Sequence, residues 1–555
     1  MSMRTGGQIL VDQLKVHGTS HVFCVPGESY LAVLDALHDA AINTIVCRQE
    51  GGAAFMAEAQ GKMTGKPGIV MVTRGPGATN ASPGIHVASQ DSTPLIMFVG
   101  QVARDMKERE AFQELDYKAV FGSMAKWVVE IDRAERIPEI LSRAFHVATQ
   151  GRPGPVVIAL PEDMLTELAD VADAKAFSPA VTSPGAADIN AFQRRLLAAE
   201  RPIVLVGGSG WSGDGVNDLV SFAENFDLPV AVTFRRQMLF PADHPNFAGD
   251  LGIGPNPKLL ARVKDSDLVI LIGGRMSEMP SQSYTLFDIP GDGERLVHIH
   301  PGAEELNRVY RAGLGIVATP HAFAGAAAAL AKPNAVTWAG TAATAHKDYL
   351  AWSDPRPIRT AGELQMSGVM QHLADVMPGD TVYCNGAGNY ATWVHRFWAF
   401  RAFASQLAPT CGSMGYGVPA AVGAKALQPE RDIVAFAGDG CFMMNGQEFA
   451  TAVQYDLPVI IVVVDNGMYG TIRMHQEREY PGRISATQLR NPDFADLARA
   501  YGGHGETVRK TDEFAGALQR ARSSGKPAII HCLIDPEAIT PARSLTDIRN
   551  AALKK

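Results

Sequence analysis

Asp439 and Asn466 are the two side chains whose type and spacing say most about chemistry. Each follows an apolar run that reads as a strand, Ile433-Val434-Ala435-Phe436-Ala437 before Asp439 and Val459 through Val464 before Asn466, with 25 residues between Gly440 and Asn466. Two hard oxygen donors on separate turns suit Mg²⁺ held against a diphosphate, because Mg²⁺ takes few protein oxygens and completes its octahedron with phosphate and water. Gly438 and Gly440 let the backbone approach such a group, and the segment from Asn445 to Tyr455 is expected to start a helix whose N-terminus adds positive field. Taken alone, Gly-Asp-Gly is also an ordinary turn.

The elements that must carry these residues alternate between strands and helices along the whole chain, which predicts an α/β protein of three doubly wound domains with mainly parallel sheets. Runs such as Gly68-Ile69-Val70-Met71-Val72-Thr73, Pro94 through Val99 and Pro155 through Leu160 have the unbroken hydrophobicity of strands covered on both faces. A proline-rich stretch from Pro161 through Pro184 and a second break after Ala331 divide the chain. The expected domains are 1-165, 190-332 and 360-540, with a tail at 541-555.

Composition agrees with a large soluble enzyme. The 555 residues are 46% hydrophobic and carry a net charge of -8, enough for several cores. No basic run suggests nucleic acid, and no apolar run is long enough to span a membrane. The six cysteines form no Cys-x-x-Cys pair, which argues against a zinc site or a disulfide framework and fits a reducing cytoplasm. The N-terminus lacks a signal-peptide core.

The segments Gly438-Asp439-Gly440-Cys441-Phe442-Met443-Met444-Asn445 and Asp465-Asn466-Gly467-Met468-Tyr469-Gly470 together resemble the motif of thiamin diphosphate enzymes. The resemblance implies thiamin diphosphate bound through Mg²⁺, with Asp439, Asn466 and the Met468 carbonyl as metal ligands and Gly438, Gly440, Cys441 and Tyr469 around the cofactor. It makes Glu50, after the strand Thr44 through Arg48, the carboxylate that hydrogen-bonds the aminopyrimidine ring and drives removal of the thiazolium proton. Glu50 opens the small-residue helix Gly51 through Ala59, in which Glu58 is expected to be exposed. Thr410 through Gly417 resembles the segment that bends the cofactor, so Gly412 would accept from the aminopyrimidine and Met414 would wedge between the rings, in a glycine-rich helix start.

The domain order resembles the acetolactate synthase and pyruvate oxidase branch of that family, which implies a homodimer at minimum, a homotetramer as the fuller assembly, and a site in which Glu50 of one subunit serves a diphosphate held by the other. Ala111-Phe112-Gln113-Glu114 resembles acetolactate synthase and places Gln113 near the reacting carbon, with Phe112 as an apolar wall. Glu28, after Pro26-Gly27, stands where acetolactate synthases carry glycine and simple 2-keto acid decarboxylases carry an acid. It reads either as a general acid whose pKa burial raises or as a helix N-terminal acid. Thr471, Ile472 and His475 are the candidates for substrate selection, His475 replacing a tryptophan of acetolactate synthases. His86 reads as a structural histidine, and the tail beyond Pro536 as a lid or a solvated helix.

Gly208-Ser209-Gly210-Trp211-Ser212-Gly213 fits a dinucleotide-binding turn, but the following strand ends in Arg235-Arg236 rather than an acid. Gly273-Gly274-Arg275-Met276-Ser277-Glu278 lacks the Asp-Asp-Arg run associated with the FAD site of acetolactate synthases, which argues against a flavin. Arg235, Arg236 and Arg275 are the residues to suspect should this domain hold a nucleotide, and otherwise read as solvated loop residues. The expected activity is a carboligase or decarboxylase that passes the decarboxylated acyl group of a 2-keto acid to a carbonyl acceptor. A decarboxylase releasing free aldehyde, a 2-hydroxyacyl-CoA lyase, a flavin-dependent oxidase and a non-catalytic homologue are the alternatives.

Overall fold

The apolar runs become three six-stranded sheets whose paired strands are all parallel. The computed structural model describes residues 3–291 and 293–554. The first sheet uses His21–Cys24, Asn43–Val46, Gly68–Val72, Leu95–Gln101, Trp127–Glu130 and Pro155–Pro161, and the second uses Pro202–Val206, Val230–Thr233, Phe247–Leu251, Leu268–Ile272, Leu296–His300 and Leu314–Val317. The third comprises Val382–Asn385, Gln406–Leu407, Ile433–Gly438, Ile460–Asp465, His504–Val508 and Ala528–Leu533. Strands such as Gly68–Val72, Leu268–Ile272 and Ile433–Gly438 are buried at every position, as the continuous apolar pattern requires.

Numbered in chain order within each sheet, the strands of the first and third sheets lie side by side as 2-1-3-4-6-5, and those of the central sheet as 3-2-1-4-5-6. The outer sheets therefore repeat one topology, and the central sheet has the dinucleotide-fold order. Ligands of such sheets bind where the winding reverses, beyond the carboxyl ends of the two flanking strands. In the third sheet that point lies between Val382–Asn385 and Ile433–Gly438, so Asp439 emerges directly into the crevice. In the first sheet it lies between His21–Cys24 and Gly68–Val72, which feed the loops carrying Glu28 and Arg74.

The outer sheets share one core. Helix Glu50–Thr64 is buried along nearly its whole length, packing on both Pro76–Asp91 and Gly417–Leu427. Glycines on the two partner helices permit this: a Cβ on Gly84 would lie 2.3 Å from the Ala54 methyl, and one on Gly423 would lie 3.1 Å from the Met56 Cα. A helix apolar on every side is a core helix, not an amphipathic one, and this overturns the expectation for Glu58. Glu58 is fully buried, accepting hydrogen bonds from Thr93 Oγ1 at 2.7 Å and the Tyr416 hydroxyl at 2.5 Å, with Lys62 Nζ at 3.1 Å.

Three further expectations change. The helix beside the Gly-Asp-Gly turn starts at Asp439 and runs to Asn445; a 3₁₀ turn and a second helix, Phe449–Gln454, follow. Met414 lies in the turn ahead of helix Gly417–Leu427 rather than within it. Arg235 and Arg236 are buried, not solvated, and Arg275 is half-buried. Their guanidinium groups cap carbonyls: Arg235 those of Pro409 and Gly386, Arg236 those of Gly208, Arg235 and Asp91, and Arg275 that of Gln90.

All six cysteines are free thiols. Among the described residues no helix is long and apolar enough to cross a membrane.

Candidate active site

A cavity of about 290 Å³ opens at the switch point of the third sheet. Gly412, Met414, Gly438, Asp439, Gly440, Cys441, Asn466, Met468, Tyr469, Thr471 and Ile472 all line it. Three separate turns thus converge where the sequence places a diphosphate and its metal. Gly440 is required by the fit, since a Cβ there would lie 2.5 Å from the Tyr469 ring. Gly412 adopts a left-handed φ of 71°, a conformation that glycine reaches without penalty.

Asp439 is held at the mouth of its helix by a polar network. Its Oδ2 accepts from the Met468 backbone N–H at 3.1 Å and from Asn491 Nδ2 at 2.8 Å. The same Asn491 nitrogen donates to Asp465 Oδ1 at 2.9 Å, and Asp465 Oδ2 meets His531 Nε2 at 2.9 Å. Burial pushes the Asp439 carboxyl up to about 6, opposed by the Asn491 hydrogen bond and reinforced by the Asp465 charge. Asp465 moves the other way: burial opposes its ionisation, but the His531 and Gly467 hydrogen bonds hold it below the usual carboxylate range. Two carboxyls this close in a buried pocket raise the proton affinity of one of them, which is the electrostatic setting a divalent cation relieves. The donor set of carboxylate, amide and carbonyl oxygens suits Mg²⁺. Among the described residues no cluster of three His, Cys, Asp or Glu offers an alternative metal centre.

The loop bearing Asn466 is pinned from below by the segment that carries Asn491. Leu489 N–H donates to the Gly467 carbonyl at 2.8 Å and Tyr469 N–H to that of Thr487 at 2.9 Å. Cys441 lines the cavity with a thiol raised by burial; its sulfur contacts the Tyr390 hydroxyl at 3.1 Å and accepts from Gly415 N–H. Thr471 Oγ1 is engaged by Asn389, accepting from its N–H at 3.1 Å and meeting its Oδ1 at 3.0 Å. The tail beyond Pro536 contributes wall: Ala538 and Ile539 line the cavity.

His475 faces a second, larger cavity of about 800 Å³ between the central and third sheets, which shares Gly388, Asn389, Gly412 and Thr471 with the first. Burial, with Arg478 beside it, lowers the His475 pKa. His86, expected to be structural, is exposed and lines this cavity, as does Asp250, whose carboxyl burial pushes up to about 7.

Glu50, Glu28, Gln113 and Phe112 line neither cavity. They gather around the switch point of the first sheet. Glu50 accepts from Asn80 Nδ2 at 3.0 Å, and Gln113 abuts Gly75. Arg74 pairs with both Glu28 and Glu162 at 2.8 Å, its guanidinium 6.0 Å from the Phe112 ring. Glu28 is 67% exposed and ion-paired, so the burial premised for a general acid is absent within the chain. Within one chain the candidate residues thus fall into two groups, on two sheets of the same topology.

Three family models match in the order of the sheets: the N-terminal TPP binding domain of thiamine pyrophosphate enzymes at residues 4–120, their central domain at 189–327 and their C-terminal TPP binding domain at 386–532. The chain belongs to the thiamine pyrophosphate enzymes. It is 31% identical to acetolactate synthase isozyme 2 large subunit of Escherichia coli over 96% of this chain and 95% of that one. It is also 31% identical to the probable acetolactate synthase large subunit of Methanocaldococcus jannaschii over 97% and 93%, and to the acetolactate synthase large subunit of Corynebacterium glutamicum over 99% and 90%. It is thus an acetolactate synthase-like, thiamin diphosphate-dependent carboligase or decarboxylase.

Sequence reasoning missed Asn491, Asp465, His531 and Asn389. Asn389 follows the first strand of the third sheet within Gly386-Ala387-Gly388-Asn389, so a glycine-rich turn after a strand could have found it. Asn491 sits in a loop with no local motif.

Proposed function

We propose that this enzyme decarboxylates a 2-keto acid and joins the remaining acyl group to a second carbonyl compound, as an acetolactate synthase-like carboligase. The observation that carries the reading is the convergence of Asp439, Asn466, Met468, Gly412 and Met414 on one cavity. Asp439, Asn466 and the Met468 carbonyl would hold Mg²⁺ and with it the diphosphate, and the Gly412 carbonyl and Met414 would face the rings. When bound, thiamin diphosphate supplies the electron sink for the carbanion left by decarboxylation. Glu50 would come from the first sheet of a second copy of the chain, its carboxylate placed to hydrogen-bond the aminopyrimidine ring. Gln113 and Phe112 arrive on the same surface, and the larger cavity beside Thr471 and His475 admits the acceptor.

Incubation with thiamin diphosphate, Mg²⁺ and a panel of 2-keto acids, with CO₂ and products followed by mass spectrometry, tests this. A coupled 2-hydroxy-3-keto product that disappears in Glu50→Gln is the expected result. Free aldehyde as the sole product would overturn carboligation in favour of simple decarboxylation, and turnover of 2-hydroxyacyl thioesters alone would make the enzyme a lyase.

A further inference from the structure

The loop that presents Gly412 and Met414 is fastened by charged side chains from outside its own sheet. Lys62, on the long helix after the second strand, donates to the Ala408 carbonyl at 3.1 Å. Arg235, at the end of a central-sheet strand, donates to the Pro409 carbonyl and reaches the Gly386 carbonyl at 2.9 Å. Asp91, at the end of helix Pro76–Asp91, accepts from Thr410 N–H at 2.8 Å and from the Thr410 hydroxyl. Three consecutive residues, 408, 409 and 410, are therefore each held by a different ionic side chain, and all three of those side chains are buried.

The clamp is itself cross-braced. Lys62 and Asp91 pair at 2.5 Å, and Arg236 and Ser209 bond the Asp91 carbonyl at 2.9 and 3.0 Å. Arg235 has φ 59°, a backbone conformation that a long side chain keeps only where its surroundings over-determine it. At Gly412 itself a built Cβ meets nothing within 4 Å, and its N–H bonds back to the Pro409 carbonyl at 3.0 Å. The Pro409 carbonyl is thus where the clamp and the Gly412 turn meet. Arg235 also ties this loop to Gly386, which lies against Cys441 and the Ser413–Gly415 turn.

We propose that Lys62, Asp91 and Arg235 are positioning residues that set the Gly412 carbonyl and Met414 against the cofactor rings, and that the central domain serves the reaction through this clamp. The proposal rests on the thiamin diphosphate reading above. Asp439 and Asn466 lie on other turns, so the clamp governs ring geometry while leaving the diphosphate grip intact.

The test uses the full-length enzyme with Arg235→Met, Arg235→Lys, Lys62→Met and Thr410→Val. Three quantities are read: cofactor affinity by fluorescence titration with thiamin diphosphate at fixed Mg²⁺, the near-ultraviolet circular dichroism of the bound aminopyrimidine, and kcat with KM for the keto acid. Because displacing a reacting group by about 1 Å costs roughly 100-fold, Arg235→Met is expected to lower kcat roughly 100-fold and to change the dichroism. Its cofactor affinity should fall by no more than about fivefold, since uniform binding through the diphosphate is untouched. Arg235→Lys, which can reach one carbonyl but not two in the same fork geometry, should recover part of kcat. If Arg235→Met and Lys62→Met do not fold, Arg235→Lys and Thr410→Val decide. Unchanged dichroism and kcat in the folded variants, or cofactor affinity lost in proportion to kcat, would overturn the positioning role. Failure of the unmodified enzyme to bind thiamin diphosphate would instead overturn the reading beneath it.

Discussion

Asn491 Nδ2 lies 2.8 Å from Asp439 Oδ2 while donating its second proton to Asp465 Oδ1 at 2.9 Å. One amide thus fixes the carboxylate read as a metal ligand and keeps a neighbouring negative charge beside it. Groups that orient a metal ligand are worth 10–100-fold in metal affinity as a rough rule. Asn491→Ala is therefore expected to weaken divalent-cation binding by roughly that factor, measured by Mn²⁺ titration with electron paramagnetic resonance in the presence of thiamin diphosphate. An affinity within twofold of the unmodified protein, on the order of measurement scatter, would rule out the role.

Asp439 lines the smaller cavity whereas Glu50 borders neither one within the chain. Two copies related by a twofold axis would complete two sites. Glu50→Gln and Asp439→Ala, each inactive alone, should then complement on mixing: half of randomly paired dimers are hybrid, and each hybrid has one intact site, giving about one quarter of the unmodified activity. No recovery after verified subunit exchange would mean that the site is built within a single chain.

The strands before Asp439 and Asn466 were legible because strands buried on both faces are continuously apolar, and the parallel α/β class followed from their alternation with helices. Side-chain destinations were less legible. Arg235 and Arg236 follow a strand, where solvated loop residues are usual, yet they turn inward to cap carbonyls, Arg235 those of Pro409 and Gly386 in the third-sheet domain and Arg236 those of Gly208, Arg235 and Asp91. Glu58 looks like the polar edge of a helix; only the packing of Gly84 and Gly423 against that helix reveals that it has no solvent face. Asn491 acquires meaning only once residues 487–491 pair back onto the Asn466 loop, a contact that no local pattern encodes.

Glu58 gives a direct energetic test of that burial. Its carboxylate is fully buried among Lys62, Thr93 and Tyr416. Removing Glu58 leaves the Thr93 and Tyr416 hydroxyls without their buried acceptor and Lys62 with Asp91 as its one carboxylate, and breaking a buried ionic network costs about 3–5 kcal/mol. Glu58→Ala should therefore lower unfolding stability by about that amount in chemical denaturation, against within about 0.5 kcal/mol for an exposed helix position. A change of the smaller size would show that the helix is not packed between the two outer sheets.

The C-terminal helix Leu545–Leu553 is tied through Arg549 to an ionic hub whose pH dependence can be predicted. Glu477, 1% exposed, accepts from Arg549 at 2.7 Å through both carboxylate oxygens and from Arg473 at 2.8 and 3.0 Å. The Arg549 hydrogen bond leads the causes that, against burial, lower its pKa from 4.5 to about 2. A carboxyl depressed in the folded state contributes stability that is fully present above its unfolded pKa and disappears as pH falls through the folded one. The contribution should therefore be complete above about pH 4.5 and lost progressively toward pH 2. Leu545 and Ile548 pack on Ile539, which lines the cofactor cavity, so releasing this helix loosens the cavity wall. Hydrogen exchange of residues 545–553 should accelerate in the unmodified protein only as pH drops from about 4.5 toward 2, after correction for intrinsic exchange. In Arg549→Ala it should already be fast at pH 7, with faster loss of thiamin diphosphate on dilution. Protection in Arg549→Ala equal to that of the unmodified protein at neutral pH would mean that apolar packing alone holds the helix and that the Glu477 hub does not gate the cavity.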